Sequence, residues 1–233
     1  MKKMLVFNHK MSLLYDEVYN YITRTNNLDT DCNIIICPSN IYLELFTNNS
    51  EWSIGAQNMY YNIDENHTGE ISSLQLKALG VEYVIVGHNE RIVDFNESGR
   101  IINLKLIEAL DANIFPILCF GEDADEDYRE KLPQLLDSYL KDILNIDFIT
   151  FAYESIYAIG TGVHPSTDKI KEIISFVSNY LEVKYHKKPN LIYGGSVTSS
   201  NIYDIINIDG INGVIVGKIS SDIREVEKII NNI

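Results

Sequence analysis

Residues 151–166, FAYESIYAIGTGVHPS, decide the fold of this chain. An apolar, aromatic run ends on an acid, Glu154, and a loop with two glycines follows before a proline and a serine that signal a helix start. The order strand, loop, helix is typical of one βα unit, with a carboxylate at the carboxyl end of its strand. Taken alone, the stretch fits an ordinary strand end with a flexible connection as well as it fits a functional site, so the rest of the chain has to show whether the acid is functional.

Eight apolar runs alternate with helical patterns along the 233 residues. The runs are continuous, as in strands that are covered on both faces. The pattern predicts an α/β protein, a single (β/α)8 barrel domain over residues 1–233, with an open doubly wound sheet as the alternative. The predicted strands cover residues 4–8, 33–37, 52–58, 83–87, 114–120, 148–153, 190–193 and 213–216, and the predicted helices 13–25, 41–46, 70–79, 98–111, 125–144, 168–185, 200–206 and 223–231.

The chain is acidic, with a formal net charge of −14. That charge argues against binding to nucleic acid or to an anionic membrane surface, so an anionic ligand would need a local pocket. Hydrophobic residues make up 45% and charged residues 22%, as in ordinary soluble domains. Three cysteines without metal-ligand spacing, and an opening without an apolar leader, favour a reducing cytoplasm, no membrane span and no metal centre.

Polar side chains follow several of the predicted strands, at the rim where barrel enzymes carry their chemistry. Each has an ordinary alternative, because a lysine at a strand end is usually solvated and a lone histidine is usually structural. Glu90, after the fourth strand, could simply form an ion pair with Lys10 or Arg91 and position them. These residues are Asn8 and Lys10 after the first strand, His88 and Glu90 after the fourth, and Glu154 after the sixth.

Glycine-rich turns after the last two strands indicate an anion site. Gly194, Gly195 and Ser196 follow the seventh strand, and Gly217 follows the eighth. Barrels bind phosphate between these two loops, because bare backbone N–H groups can approach an anion closely there. Together with Gly160 in the opening stretch, they predict a phosphate cradle.

A carboxylate, an imidazole and a cation beside a phosphate cradle favour one reaction class. Abstraction of a proton next to a carbonyl needs a base, an electrophile that polarises the oxygen, and positive charge for the enediolate. Glu154, His88 and Lys10 supply these three functions. No dinucleotide fingerprint competes with this interpretation in the sequence.

A series of motifs runs nearly from end to end of the chain: FNHKM at residues 7–11, GAQN at 55–58, HTGEIS at 67–72, YVIVGHNER at 83–91, ILCFGE at 117–122, AYESIYAIGTG at 152–162, YGGSV at 193–197 and GVIVGK at 213–218. In this order and spacing they resemble the triosephosphate isomerase family. The combination of the fourth, sixth and seventh motifs is highly specific. The fold of that family is the TIM barrel, the architecture that the eight repeated units predict.

The resemblance implies cofactor-free interconversion of dihydroxyacetone phosphate and D-glyceraldehyde 3-phosphate, a step of glycolysis and gluconeogenesis. It makes Glu154 the base that shuttles the proton and His88 a neutral electrophile beside a helix N-terminus, which is the known pairing of this family. It also implies that Lys10 and Asn8 hold the substrate and stabilise the developing charge. Glu90 would act behind them in the proton network.

The resemblance further implies a phosphate site and a partner subunit. Gly160, Ser196 and Gly217 would offer backbone N–H groups to the phosphate, and residues 156–165 would form a closing lid. Residues 60–70 resemble the arm that reaches into a second subunit. We therefore expect a homodimer in which Thr68 lies near the partner's site.

The chain departs from the family pattern mainly at the lid and the phosphate loop. Ser155 replaces a proline that stiffens the hinge after the base, so serine should loosen the swing of Glu154. Pro165 stands where a backbone N–H is expected to bond the Tyr193 hydroxyl in the closed lid, and proline has no N–H. Lys218 replaces a glycine, so its Cβ could crowd the phosphate or its ammonium could bind it. We expect an active isomerase with a weaker closed state, and a peripheral role for His9, which replaces a tryptophan.

Two other functions stay open at this level. One is a barrel that binds a sugar phosphate without efficient turnover, which Lys218 and Ser155 would support. The intact Lys10, His88 and Glu154 argue against it, since a binder needs no base. The other is a different aldose–ketose or epimerase activity on a related phosphate. Metal-dependent versions should carry a His/Asp ligand set on the strand ends, and the sequence has none there.

Overall fold

A computed structural model of the chain describes residues 2–64, 66–158 and 165–233. Eight parallel strands follow one another around a closed barrel, in which β1 pairs with both β2 and β8. This closure confirms the predicted (β/α)8 barrel and excludes the open doubly wound sheet. The strands are β1 (Met4–Asn8), β2 (Asn33–Cys37), β3 (Ser53–Ala56), β4 (Tyr83–Val86), β5 (Phe115–Phe120), β6 (Thr150–Tyr153), β7 (Asn190–Tyr193) and β8 (Gly213–Val216).

Helices connect the strands and cover the outside of the barrel. None of the helices within the described ranges is long and apolar enough to cross a membrane. They are α1 (Tyr15–Thr25), α2 (Leu43–Asn49), α3 (Ser73–Ala78), α4 (Asn89–Phe95), α5 (Gly99–Asp111), α6 (Tyr128–Tyr139), α7 (Thr167–Tyr185), α8 (Ile202–Ile206) and α9 (Ile223–Asn231).

The pattern of apolar residues did not predict helix α4, although the family resemblance implied a helix N-terminus beside His88. It begins directly after His88, whose side chain takes the N-cap position, and it ends at Phe95, before Asn96 adopts the left-handed conformation with φ of 55°. The pattern predicted only the next helix, because histidine is not among the residues that typically mark an N-cap. Asparagine is a usual left-handed helix terminator, so the end of α4 carried a signal that its start did not.

Alternation along the strands sorts side chains between the barrel interior and the layer beneath the helices. Val6 and Ala152 belong to the small interior cluster, whereas Phe7 and Phe151 pack in the large cluster under the helices. Because the side-chain period of a strand is two, Asn8 and Glu154 continue the interior rows of β1 and β6 at the upper rim. The strand pattern therefore aims these two polar side chains at the mouth of the barrel.

Candidate active site

A cavity of about 290 Å³ lies at the carboxyl ends of the strands. It brings together residues from near both ends of the chain, from Asn8 to Ile219, since β1 and β8 are neighbours in the closed barrel. The predicted residues that line it are Asn8, Lys10, His88, Glu154, Ser196, Gly217 and Lys218.

Glu154 is almost completely buried at the mouth of the barrel. Its backbone N–H donates to the carbonyl oxygen of Phe120 at 2.8 Å, which fixes the end of β6 against β5. A Cβ atom on Gly121 would overlap the carbonyl oxygen of Glu154, so this close approach requires a glycine. Burial raises the pKa of the adjacent Cys119 thiol, and the Glu154 carboxylate raises it further. Cys119 is therefore a neutral packing neighbour of Glu154.

His88 faces Glu154 across the cavity. The distance from His88 Nε2 to Glu154 Oε1 is 3.6 Å, which is longer than a hydrogen bond. On the other side of the ring, Nδ1 accepts a hydrogen bond from the backbone N–H of Glu90 at 3.3 Å. His88 is also buried, so its ring is held between the start of α4 and the carboxylate.

Lys10 reaches the cavity through an unusual backbone conformation. Its φ is 52°, in the left-handed region that costs a residue with a Cβ atom about 1 kcal/mol. Its carbonyl oxygen accepts hydrogen bonds from Ser39 Oγ at 2.7 Å and from Gln57 Nε2 at 2.8 Å. Its N–H donates to Asn8 Oδ1 at 3.2 Å. These contacts stabilise the turn that carries the lysine from β1 over the barrel.

Glu90 pairs with Lys10 and lies behind it. The Lys10 ammonium donates to Glu90 Oε1, and Glu90 Oε2 lies 3.6 Å from His88 Nδ1. Of the two partners that the sequence left open for Glu90, the structure shows Lys10, because Arg91 pairs instead with Glu97. Glu90 thus contacts two candidate catalytic side chains without lining the cavity itself.

The opposite end of the cavity carries the predicted phosphate loops. Gly217 begins a short 3₁₀ turn, Lys218–Ser221, and a Cβ built on Gly217 would lie 3.5 Å from Cε of Lys10. Lys218 is exposed at the cavity wall, and within the described ranges its ammonium has no ion-pair partner. In the neighbouring loop, a Cβ on Gly195 would overlap the hydroxyl of Tyr193, so glycine is required there as well.

Within the described ranges, two of the predicted site residues, Thr68 and Glu90, do not line the cavity. Gly160 lies outside the described residues, as does most of the predicted lid. Thr68 lies in an exposed turn, residues 67–70, and does not line the cavity of its own chain. In the described part of the chain, no group of three or more His, Cys, Asp or Glu side chains is placed to hold a metal ion.

Ser39 and Gln57 are contributors that the sequence reading missed. They do not line the cavity, but both hold the carbonyl of Lys10. Gln57 lies at the end of the third predicted strand and directly after the observed β3, so it carried a weak signal, whereas Ser39 carried none. The apolar wall of the cavity includes Ile215, which continues the interior row of β8.

Fold and site together define a (β/α)8-barrel protein in which a carboxylate and an imidazole face one small cavity at the carboxyl ends of the strands. The family model described as "Triosephosphate isomerase" matches residues 3–233. Two curated proteins of that name are similar over almost their whole length: one from Finegoldia magna is 35% identical, covering 99% of this chain and 98% of the relative, and one from Wolbachia sp. subsp. Brugia malayi is 36% identical, covering 100% and 98%. A third, from Dehalococcoides mccartyi, is 39% identical over 78% of this chain and 76% of the relative. The chain belongs to the triosephosphate isomerase family.

Proposed function

We propose that this chain interconverts dihydroxyacetone phosphate and D-glyceraldehyde 3-phosphate by proton transfer through an enediolate, without a cofactor. Glu154 removes the proton from the carbon next to the carbonyl and returns it to the neighbouring carbon. The Nε2–H of His88 donates a hydrogen bond to the substrate oxygens, and Lys10 stabilises their developing negative charge. The separation of 3.6 Å between Glu154 Oε1 and His88 Nε2, both facing one cavity, is the observation that carries the proposal.

The hydrogen bond that His88 accepts through Nδ1 suits this role. A ring nitrogen that accepts a hydrogen bond carries no proton, so acceptance by Nδ1 leaves the ring proton on Nε2. A positive charge on the ring would also be unfavourable at the N-terminus of α4. The imidazole is therefore arranged to donate toward the cavity, on the side where Glu154 lies.

The phosphate lies at the other end of the cavity in this proposal. Backbone N–H groups of Ser196 and Gly217 bind it, Gly160 contributes from the lid, and the Lys218 ammonium adds a charge-assisted contact. Asn8 holds the substrate between the two ends. A volume of about 290 Å³ lies at the small end of ligand cavities and suits a three-carbon phosphate.

We propose that this reaction serves glycolysis and gluconeogenesis in the cytoplasm, and that residues 1–233 act as one barrel domain. The test is steady-state turnover in both directions, by coupled assay, after treatment with a metal chelator. Robust conversion of glyceraldehyde 3-phosphate that is inhibited competitively by inorganic phosphate is the expected result. Binding of the triose phosphate without turnover would contradict the proposal and favour a non-catalytic binder.

We also propose that the chain acts as a homodimer. Large apolar side chains are exposed near the barrel mouth, including Met11 at 96%, Ile41 at 81% and Leu14 at 74%. Ring contact between Tyr15 and Tyr42 supports a continuous patch across these loops, and Asn40, next to Ile41, lines one small cavity together with Gly69 and Glu70. Such exposed apolar side chains are typical of a contact surface.

Sedimentation velocity at micromolar concentration tests the dimer. The expected mass is twice the 26.6 kDa of the chain, and Met11→Asp should shift the population toward the monomer. A wild-type monomer at those concentrations would contradict the dimer. The same result would remove the proposed role of Thr68 near the partner's site.

A further inference from the structure

The residue that follows Glu154 is held by side-chain hydrogen bonds. Ser155 is fully buried, and its Oγ donates to the Tyr153 hydroxyl at 3.0 Å. That hydroxyl donates in turn to Glu122 Oε1 at 2.8 Å. Because a carboxylate accepts hydrogen bonds but does not donate them, Glu122 sets the direction of both donations.

The backbone on either side of Ser155 is held by the loop after β5. The N–H of Glu154 donates to the Phe120 carbonyl at 2.8 Å, and the N–H of Ile156 donates to the Glu122 carbonyl at 3.2 Å. Gly121 lies between these two acceptors and leaves room for the Glu154 carbonyl. Three successive residues are thus anchored to one neighbouring loop, and Ser155 is anchored through its side chain.

We infer that Ser155 is a positioning residue, which aims the Glu154 carboxylate into the cavity through the hydrogen-bonded chain Ser155–Tyr153–Glu122. The inference rests on the proposed function, in which Glu154 is the base. A proline at this position would restrict the backbone by its ring, whereas serine restricts it by a hydrogen bond to a buried network. Burial raises the pKa of Glu122, and the Tyr153 hydroxyl opposes that rise, so the hydroxyl favours the carboxylate that anchors the chain.

Removal of the hydroxyl should slow the reaction without weakening substrate binding. Ser155→Ala should lower kcat roughly fivefold, the rate equivalent of one neutral hydrogen bond. KM and the inhibition constant of inorganic phosphate should stay within about twofold of wild type, because the phosphate loops are untouched. Ser155→Thr, which keeps the hydroxyl, should restore most of the rate.

A double variant tests the chain itself. Tyr153→Phe keeps the ring and removes the link to Glu122, so it should cost the same roughly fivefold in kcat. Ser155→Ala combined with Tyr153→Phe should cost no more than either change alone, since both break one chain. If Ser155→Ala fails to fold, kcat and KM of Tyr153→Phe are compared with those of wild type instead, and the same loss in kcat is expected.

Ser73→Ala is the matched control. Ser73 is also fully buried and donates to a glutamate, Glu108, but on α3 and α5 away from the cavity. It should lower stability and leave kcat unchanged. A wild-type kcat in Ser155→Ala, or a double-variant loss equal to the product of the single losses, would overturn the inference. Wild-type turnover measured in parallel separates this failure from failure of the proposed function, which predicts turnover whatever Ser155 does.

Discussion

The Nδ1 atom of His88 accepts a hydrogen bond from the backbone N–H of Glu90 at 3.3 Å. This contact exists because α4 begins at Asn89 and leaves His88 at its N-cap, where backbone N–H groups lack helical partners. The same contact turns Nε2 toward Glu154. One local feature of the chain therefore holds the imidazole by its Nδ1 atom and sets the direction of the ring.

Replacing the imidazole should mainly affect the chemical step. His88→Gln should lower kcat by roughly a hundredfold or more, the usual loss for a group that stabilises a developing oxyanion. KM should change little, since the phosphate contacts remain. The measurement is steady-state kinetics beside His186→Gln, which alters an exposed histidine at the end of α7. An equal effect on kcat in both variants would contradict a role for His88.

Lys218 should contribute charge to phosphate binding. Lys218 lines the cavity, and in the described part of the chain its ammonium has no ion-pair partner that would hold it elsewhere. Lys218→Gln should raise both KM and the inhibition constant of inorganic phosphate about tenfold, as expected for a charged hydrogen bond. The inhibition constant of inorganic phosphate should also depend less on salt concentration in Lys218→Gln than in wild type.

The control for Lys218 is Lys171→Gln, because Lys171 lies outside the cavity, 3.9 Å from Asp209. If Lys218→Gln binds phosphate as well as wild type or better, then the lysine only crowds the site. Lys218→Gly would then be expected to bind more tightly still.

Restoring a backbone N–H at Pro165 should help the lid to close. The Tyr193 hydroxyl is buried, and in the described ranges it has no hydrogen-bond partner. Pro165→Ala supplies a donor that proline lacks, so kcat should rise several-fold. Elimination of phosphate from the enediolate, which yields methylglyoxal, should account for a smaller share of turnover. Adding Tyr193→Phe should cancel the gain. Unchanged turnover and unchanged methylglyoxal in Pro165→Ala would show that the latch plays no part.

His9 should make the fold sensitive to acid. The ring is completely buried against Tyr21 and Phe46, with centroid distances of 4.7 Å and 5.7 Å. Neither ring nitrogen has a hydrogen-bond partner in the part of the chain that the structure describes. Burial lowers the pKa of His9 to about 3. The folded state therefore keeps His9 neutral, whereas the unfolded chain binds a proton near pH 6.5.

Stability should fall as the pH drops from about 6.5 toward 3, because the unfolded state then binds the extra proton. The loss from this one group is about 2 kcal/mol between pH 7 and pH 5. Urea unfolding of His9→Phe should lack that part of the pH dependence, whereas His186→Asn, at an exposed position, should keep it. The same pH dependence in His9→Phe and wild type would contradict a buried, neutral His9.

The barrel was predictable because its strands are uniform apolar runs at a regular spacing. The bounds of β1, β2, β7 and β8 agree with the sequence prediction, since apolar residues stop at both ends of these strands. Because side chains alternate between the two faces of a strand, the period of two along β1 and β6 also places Asn8 and Glu154 at the cavity. Closure followed from the count of eight units, and the pairing of β1 with β8 confirms it.

Other features depend on contacts between distant parts of the chain, which no local pattern carries. The left-handed turn at Lys10 is held by Ser39 and Gln57, from two different loops. The hydrogen bond from Ser155 to Tyr153 needs the end of β6 beside Glu122. The sequence predicted a looser hinge at Ser155, because the loss of proline can be seen from that one residue. The hydrogen bond that anchors Ser155 involves Tyr153 and Glu122 and cannot be seen from that residue alone.

The proposed chemistry depends most directly on the carboxylate of Glu154. The decisive measurement is steady-state conversion of glyceraldehyde 3-phosphate by wild type beside Glu154→Gln, which keeps the shape of the side chain and removes the base. We predict strong wild-type activity, a loss of roughly a thousandfold or more in kcat, and little change in the binding of inorganic phosphate. Turnover in Glu154→Gln close to the wild-type rate would contradict the account, since the base would then have to be another group.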